Sequence, residues 1–126
     1  MTPIHLFSLA SQYNKWLTVR QSAVASNIAN ANTPGFKAQD VQPFESVLDQ
    51  ANLAMASTQP GHVSYAPASV PTTEVRADDA WEVSHSGNTV SLEKEMLKAG
   101  EVNRAFSLNT SVLKAFHRML LTSAKS

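Results

Sequence analysis

Cysteine is absent from the 126 residues, which excludes disulfides, thiolate nucleophiles and sulfur ligands for zinc and leaves the redox compartment open. Charge is scarce as well. Only 16% of residues are Asp, Glu, Lys or Arg, against roughly 25% in an average soluble domain. Ten acidic and ten basic residues cancel. That balance removes the electrostatic footprint of a nucleic-acid binder and the self-repulsion that would hold copies apart. Four glycines are too few for a phosphate cradle, and no serine stands in a G-x-S-x-G context. No apolar run reaches the roughly 20 residues that span a bilayer. A basic segment followed by an apolar core and a small-residue cleavage site is also missing at the N-terminus, so Sec-type export is not expected.

Chemistry is equally sparse. His5, His62, His85 and His117 are scattered without the i, i+4 pairing of a metal site. Asp78 and Asp79, with Glu74 and Glu82, form the densest carboxylate cluster, yet no calcium-loop pattern surrounds them. They read as solvated turn residues. No catalytic, metal-binding or cofactor-binding residue is expected, and the chain does not read as an enzyme.

What is present is helical pattern at both ends. The length suits a single domain spanning residues 1–126. Thr2 and Pro3 make an N-cap and a first helical residue, because proline there gives up only a donor that has no partner anyway. Leu6, Leu9, Tyr13 and Trp16 then repeat at steps of three and four, and Leu17, Val24, Ile28 and Ala31 continue a neighbouring stripe. The spacing predicts a helix to about residue 31, about 40 Å long. A second pattern starts after Ser91, a good N-cap, with Glu93 and Glu95 at the positive end of the helix dipole. Leu92, Ala99, Phe106, Leu113 and Leu120 fall seven apart, with Val102, Asn109 and Phe116 at the complementary positions. This predicts a coiled-coil type seam on a helix to about residue 122.

The two helices are therefore expected to lie antiparallel as one hairpin, with Val102, Phe106, Leu113 and Phe116 facing Leu9, Tyr13, Leu17 and Val24. The fold class is mainly α. Both helices are unusually poor in charge: Lys15 and Arg20 are the only formal charges before Phe36, and residues 105–113 carry none. An uncharged polar face can be desolvated by neighbouring helices at lower cost than a charged one. Burial on more than one side is the implication.

Between the helices lies a middle segment, residues 32–90. Its start is a compact stop signal, Asn32-Thr33-Pro34-Gly35-Phe36. Proline disfavours the helical region at Thr33 and has no N–H to continue the ladder. Thr33-Pro34-Gly35-Phe36 fits a type II turn, with Gly35 at the position that needs positive φ. Taken by turn chemistry alone, the stretch is an ordinary junction between helix and loop. Further on, Phe44, Val47, Leu48, Ala51 and Met55 predict a short helix over about 43–56. Residues 57–73, with Pro60, Gly61, Pro67 and Pro71, read as loop or extended chain with short β pieces. Glu74-Val75-Arg76 and Trp81-Glu82-Val83 alternate as a small β-hairpin would, turning at residues 77–80.

The string Ser26-Asn27-Ile28-Ala29-Asn30-Ala31-Asn32-Thr33-Pro34-Gly35-Phe36-Lys37 resembles the N-terminal signature of the bacterial flagellar axial proteins, the rod and hook family. Its length and composition make it far more specific than a lone glycine pattern. Ala38-Gln39-Asp40-Val41 and Gly87-Asn88-Thr89-Val90-Ser91-Leu92 extend the likeness toward the proximal-rod, type B branch of that family. A partial echo in Arg104-Ala105-Phe106 and Asn109 resembles the closing helix of other short rod components, such as those of type C.

The resemblance implies a structural subunit of the basal-body rod that assembles helically through its terminal helices and transmits motor torque. Asn27, Asn30, Asn32, Thr33, Pro34, Gly35 and Phe36 would be its assembly motif. Its implied partners are copies of itself, neighbouring rod proteins and the ring-to-rod adapter at the base, with the flagellar type III export apparatus in transit. It would lie in the periplasmic span, exported without a cleaved signal peptide, contacting no nucleic acid and spanning no membrane. The residues themselves leave one rival of another class, a monomeric helical hairpin that grips a partner through its middle segment. Solution state separates the two, because an assembly subunit with charge-poor helices should fray or aggregate when free.

Overall fold

The computed structural model describes residues 3–54, 72–74 and 85–125. Three helices and two short strands follow in the order α1 (Pro3–Ala29), β1 (Gln39–Val41), α2 (Phe44–Ala54), β2 (Thr72–Glu74) and α3 (Leu92–Lys125). The long helices run antiparallel. A ladder of contacts fixes their register: Asn27 with Glu95, Arg20 with Glu101, Asn14 and Ala10 with Asn109, and Phe7 with Phe116.

Helix α1 ends two residues before the expected position and tightens rather than stopping abruptly. The Asn30 N–H is shared between the carbonyls of Ser26 and Asn27 at 3.1 and 3.2 Å, and Ala31 and Thr33 donate to Ile28 and Asn30. The chain then turns at Pro34 as its chemistry requires. Gly35 has φ of +72°, and the Phe36 N–H reaches the Thr33 carbonyl at 3.3 Å, the signature of a type II turn. Helix α2 matches the expected short helix where it is described. The Pro43 carbonyl accepts the Val47 N–H at its start; Met55 and Ala56 lie outside the described residues. Helix α3 continues three residues past the expected end. No proline or glycine stands in Thr122-Ser123-Ala124-Lys125 to stop it.

The core lies where α1, β1 and α3 meet. Trp16, Leu17, Val41 and Val102 are buried together, flanked by Tyr13, Val19, Phe44, Val47, Ala105 and Phe106. Phe44 brings the start of α2 onto this cluster, 5.0 Å from the Tyr13 ring and 6.0 Å from Trp16. The indole N–H of Trp16 donates to the Gln42 carbonyl at 2.8 Å, so the largest core side chain leaves no buried donor unpaired.

One expectation is reached only in part and another needs correction. The described strand at residues 72–74 pairs antiparallel with β1, Gln39 opposite Glu74 and Val41 opposite Thr72, so Glu74 takes its partner from the segment after the turn. The rest of the expected hairpin, residues 75–83, lies outside the described residues. The apolar stripes also drift. Ile28 and Leu92 are 38% and 47% exposed, whereas Asn27 and Glu95 are buried. A strict seven-residue repeat slips by about 20° per repeat on a straight helix, which carries Leu92 off the seam, while Glu95 stays on the inward track of Val102 and Asn109.

Leu17 is 1% exposed and sits at the centre of this small core. Leu17→Ala should lower unfolding stability by about 2–5 kcal/mol, measured by urea or thermal denaturation of the purified chain.

Candidate assembly site

The turn that follows α1 folds back against residues 86–90, which lead into α3, and the two segments are joined by polar contacts rather than by packing alone. The Gly35 N–H donates to the Ser86 carbonyl at 2.9 Å, and Thr89 N–H donates to Phe36 at 3.1 Å. Ala38 N–H is taken by the Thr89 hydroxyl at 2.9 Å, and the exposed Lys37 ammonium reaches the Gly87 carbonyl at 3.1 Å. Gly87 also has positive φ, +77°, and a Cβ built there would stand 3.8 Å from the Gly35 Cα. The two left-handed glycines therefore abut. At Gly35 itself a Cβ would meet nothing within 4 Å, so its requirement for glycine is one of backbone conformation and not of space.

Two asparagines do most of the joining. Asn88, 3% exposed, points its amide at the carbonyls of Asn30, Ala31 and Thr33 at 2.8 to 2.9 Å. Its own oxygen accepts the Val90 N–H. These carbonyls belong to the turn just past α1, and a side chain 55 to 58 residues away in sequence supplies their partner. Asn27 is fully buried. Its oxygen accepts the Gln39 N–H at 3.0 Å, while its amide donates to the Gln39 carbonyl at 2.7 Å and to a Glu95 carboxylate oxygen at 3.1 Å. The side chain thus pairs with Gln39 as a neighbouring strand would, on the opposite side from β2.

Glu95 is 2% exposed, and a buried carboxylate requires compensation. Lys98 supplies it at 3.1 Å and also pairs with Asp40 at 3.2 Å. Asp40 in turn lies 3.4 Å from Arg20 Nε. Arg20 reaches Glu101 at 3.5 Å and lies over the Trp16 ring. This chain of charges ties α1, β1 and α3 together at one end of the hairpin.

The remaining members of the signature face outward. Asn32, Thr33, Pro34 and Gly35 are exposed, and Asn30 and Phe36 are half-buried. Of the seam residues, Leu17, Val24 and Val102 are buried, and Tyr13 and Phe106 flank the core. Leu9 and Leu113 line a cavity of about 250 Å³ together with Leu6, Tyr13, Phe44 and Val112. Phe116 meets Phe7 edge to face at 5.6 Å. Sequence reasoning missed Asn88, Thr89, Lys98 and the buried role of Glu95. One signal was available: Glu95 stands seven residues before Val102 and fourteen before Asn109, on the same inward track.

Among the described residues, no cluster of His, Asp and Glu could hold a metal ion, and no helix is long and apolar enough to cross a membrane. The arrangement holds a geometry. Asn27→Asp, which keeps the shape but replaces the amide donor with a charge beside Glu95, should cost at least about 2 kcal/mol of stability at neutral pH. Chemical denaturation checks this. Asn88→Ala, which frees carbonyls near solvent, should cost less, about 1 kcal/mol.

Comparison with known proteins converges on one family. The family model described as "Flagella basal body rod protein" matches residues 17–37, the second half of α1 and the turn. The flagellar basal body rod protein FlgB of Agrobacterium fabrum (strain C58 / ATCC 33970) is 45% identical, over 99% of this chain and 96% of that protein. The FlgB proteins of Escherichia coli (strain K12) and Aeromonas hydrophila are 30% and 32% identical, over 75% and 73% of this chain and 74% and 67% of their own lengths. With that identity along nearly its whole length and a polar joint built from the matched segment, the chain belongs to the FlgB family of flagellar basal body rod proteins, which are structural components and not enzymes.

Proposed function

We propose that this basal-body rod subunit assembles helically on copies of itself and on neighbouring rod proteins through the outward faces of α1 and α3. Residues 26–37 would fix the angle at which the middle segment leaves the hairpin. The observation that carries this reading is the uncovered face of α3. Leu108, Met119 and Leu121 are 67%, 60% and 50% exposed. The contact ladder places Phe116 opposite Phe7, so the last turns of α3 extend past the described start of α1. Leu108 and Met119 share one side of the helix and Leu121 lies on another. Large apolar side chains left exposed on two sides of one helix mark an interaction surface, and the uncharged run 105–113 lowers the cost of covering it.

Within this reading the whole chain is one unit, with residues 1–31 and 91–126 as its assembly core and 32–90 as an extension. It would stand in the periplasmic span of the basal body, on the ring-to-rod adapter at the base. It would arrive there through the flagellar export apparatus without a cleaved signal peptide, and would pass torque along the rod. Each copy in a helical array meets its neighbours through different surfaces, so an angular error at one joint recurs at every contact. The polar joint between the turn and residues 86–90 supports a rigid exit.

Gly35→Val places a β-branched residue at φ of +72°, where such side chains are strained. Expressed in a strain lacking the wild-type gene, with export and protein level verified, it should abolish motility and leave basal bodies without rod. Lys37→Gln, which alters one exposed contact, should retain most motility. Normal rods in the Gly35→Val strain would show that the segment is only a loop.

A further inference from the structure

The zero net charge conceals a segregation. All ten acidic residues fall between Asp40 and Glu101. Beyond Glu101, α3 carries only cations, Arg104, Lys114, Arg118 and Lys125, and the stretch of α1 that packs beside it carries only Lys15. Those α3 cations are exposed. Among the described residues the ion pairs gather instead at the other end of the hairpin, on Arg20, Asp40, Glu95, Lys98 and Glu101. On α1 and α3 the open end of the hairpin is thus one-signed, and among the described residues none of its α3 cations is held in an ion pair.

Helical geometry sorts this end into two parallel tracks. Arg104, Arg118 and Lys125 recur at multiples of seven on the outward side. Beside them Leu108, Val112 and Met119, 67%, 46% and 60% exposed, form an apolar stripe at helical spacing. The complementary surface occurs on the same molecule. Helix α2 turns Phe44 and Val47 toward the core and presents Glu45 and Asp49, one turn apart and both exposed, to the outside. Leu48 is half-buried beside them.

We infer that the basic, apolar-striped outward face of α3 in one copy docks on the acidic outward face of α2 in the next copy. This deepens the assembly reading above and rests on it. The two surfaces differ, so the contact is heterologous and does not close on itself as a symmetric dimer does. It generates an open array in which every copy offers one free basic face and one free acidic face. Opposite charge also sets polarity, because contacts between two α3 faces or two α2 faces bring like charges together. An anionic lipid surface would satisfy the cations but would leave Glu45 and Asp49 without a role, which favours the second copy.

The test uses the full-length purified protein in sedimentation velocity over a range of concentration and salt. Self-association should weaken as ionic strength rises. K114E/R118E and E45K/D49K should each associate roughly tenfold or more weakly than wild type, with helical content unchanged by circular dichroism. An equimolar mixture of the two variants should recover association, since reversed faces again meet opposite charge. Association that persists undiminished in both variants and at high salt overturns this contact and leaves assembly by another surface. No association at any concentration overturns both the contact and the self-assembly reading. Binding to phosphatidylglycerol vesicles that is lost in K114E/R118E, without self-association, would assign the basic face to lipid and likewise overturn the proposal.

Discussion

A fully buried asparagine holds this structure in register. Asn27 lies on the inward track of α1, where a hydrophobic residue would serve packing better, and spends its amide on the backbone of Gln39 and the carboxylate of Glu95. A buried amide is tolerated only with its hydrogen-bonding capacity met. Only one relative placement of α1, β1 and α3 meets it. Apolar contacts along the hairpin could slide by a turn and still bury Leu and Phe; the Asn27 pairing cannot. Polar specificity at one end and apolar adhesion along the rest divide the work between them.

From that fixed point the other features follow. Gln39 held against α1 extends the chain, so that its far side is free to pair with Thr72–Glu74. Asn88 then holds the turn from the opposite direction by donating to the carbonyls of Asn30, Ala31 and Thr33 just past α1, and Gly35 and Gly87 supply the positive φ that the two facing turns need. The middle of the chain therefore departs and returns through a small polar joint beside the closed end of the hairpin. The opposite, open end is bound by fewer constraints. There the subunit has apolar stripes, cations and a cavity bordered by Leu9, Leu113 and Val112, features that favour contact with other molecules over internal rigidity.

Much of this was legible in the sequence, and the part that was not has a physical reason. The long helices announce themselves through spacing and caps, and the type II turn through Pro34 and Gly35, because those signals are local. The seven-residue repeat fails at Leu92 because a straight helix does not hold such a repeat, and at that end the inward track runs through Glu95, seven residues before Val102. Strand β1 was invisible: three residues, Gln39-Asp40-Val41, carry no alternation long enough to count, and their partners are an asparagine side chain in α1 and a strand more than thirty residues on. Glu95 was read by its place in the first turn of α3, where a carboxylate suits the dipole, and its burial emerged only from tertiary packing. The charge-poor faces point to a subunit of a larger structure, in keeping with the basal body rod family to which the chain belongs.

The central claim is that side chains from α1 and from residues 88–89 fix the backbone that follows the turn. Residue-resolved amide hydrogen exchange of the full-length protein tests it most directly. Ala38 and Gln39 donate their amides to Thr89 and Asn27 side chains, so both should exchange as slowly as the central amides of α1 and α3, by opening of the whole hairpin. Exchange at the rate of an unstructured peptide at those two amides, with α1 and α3 still protected, would show the joint to be open in solution and contradict the account.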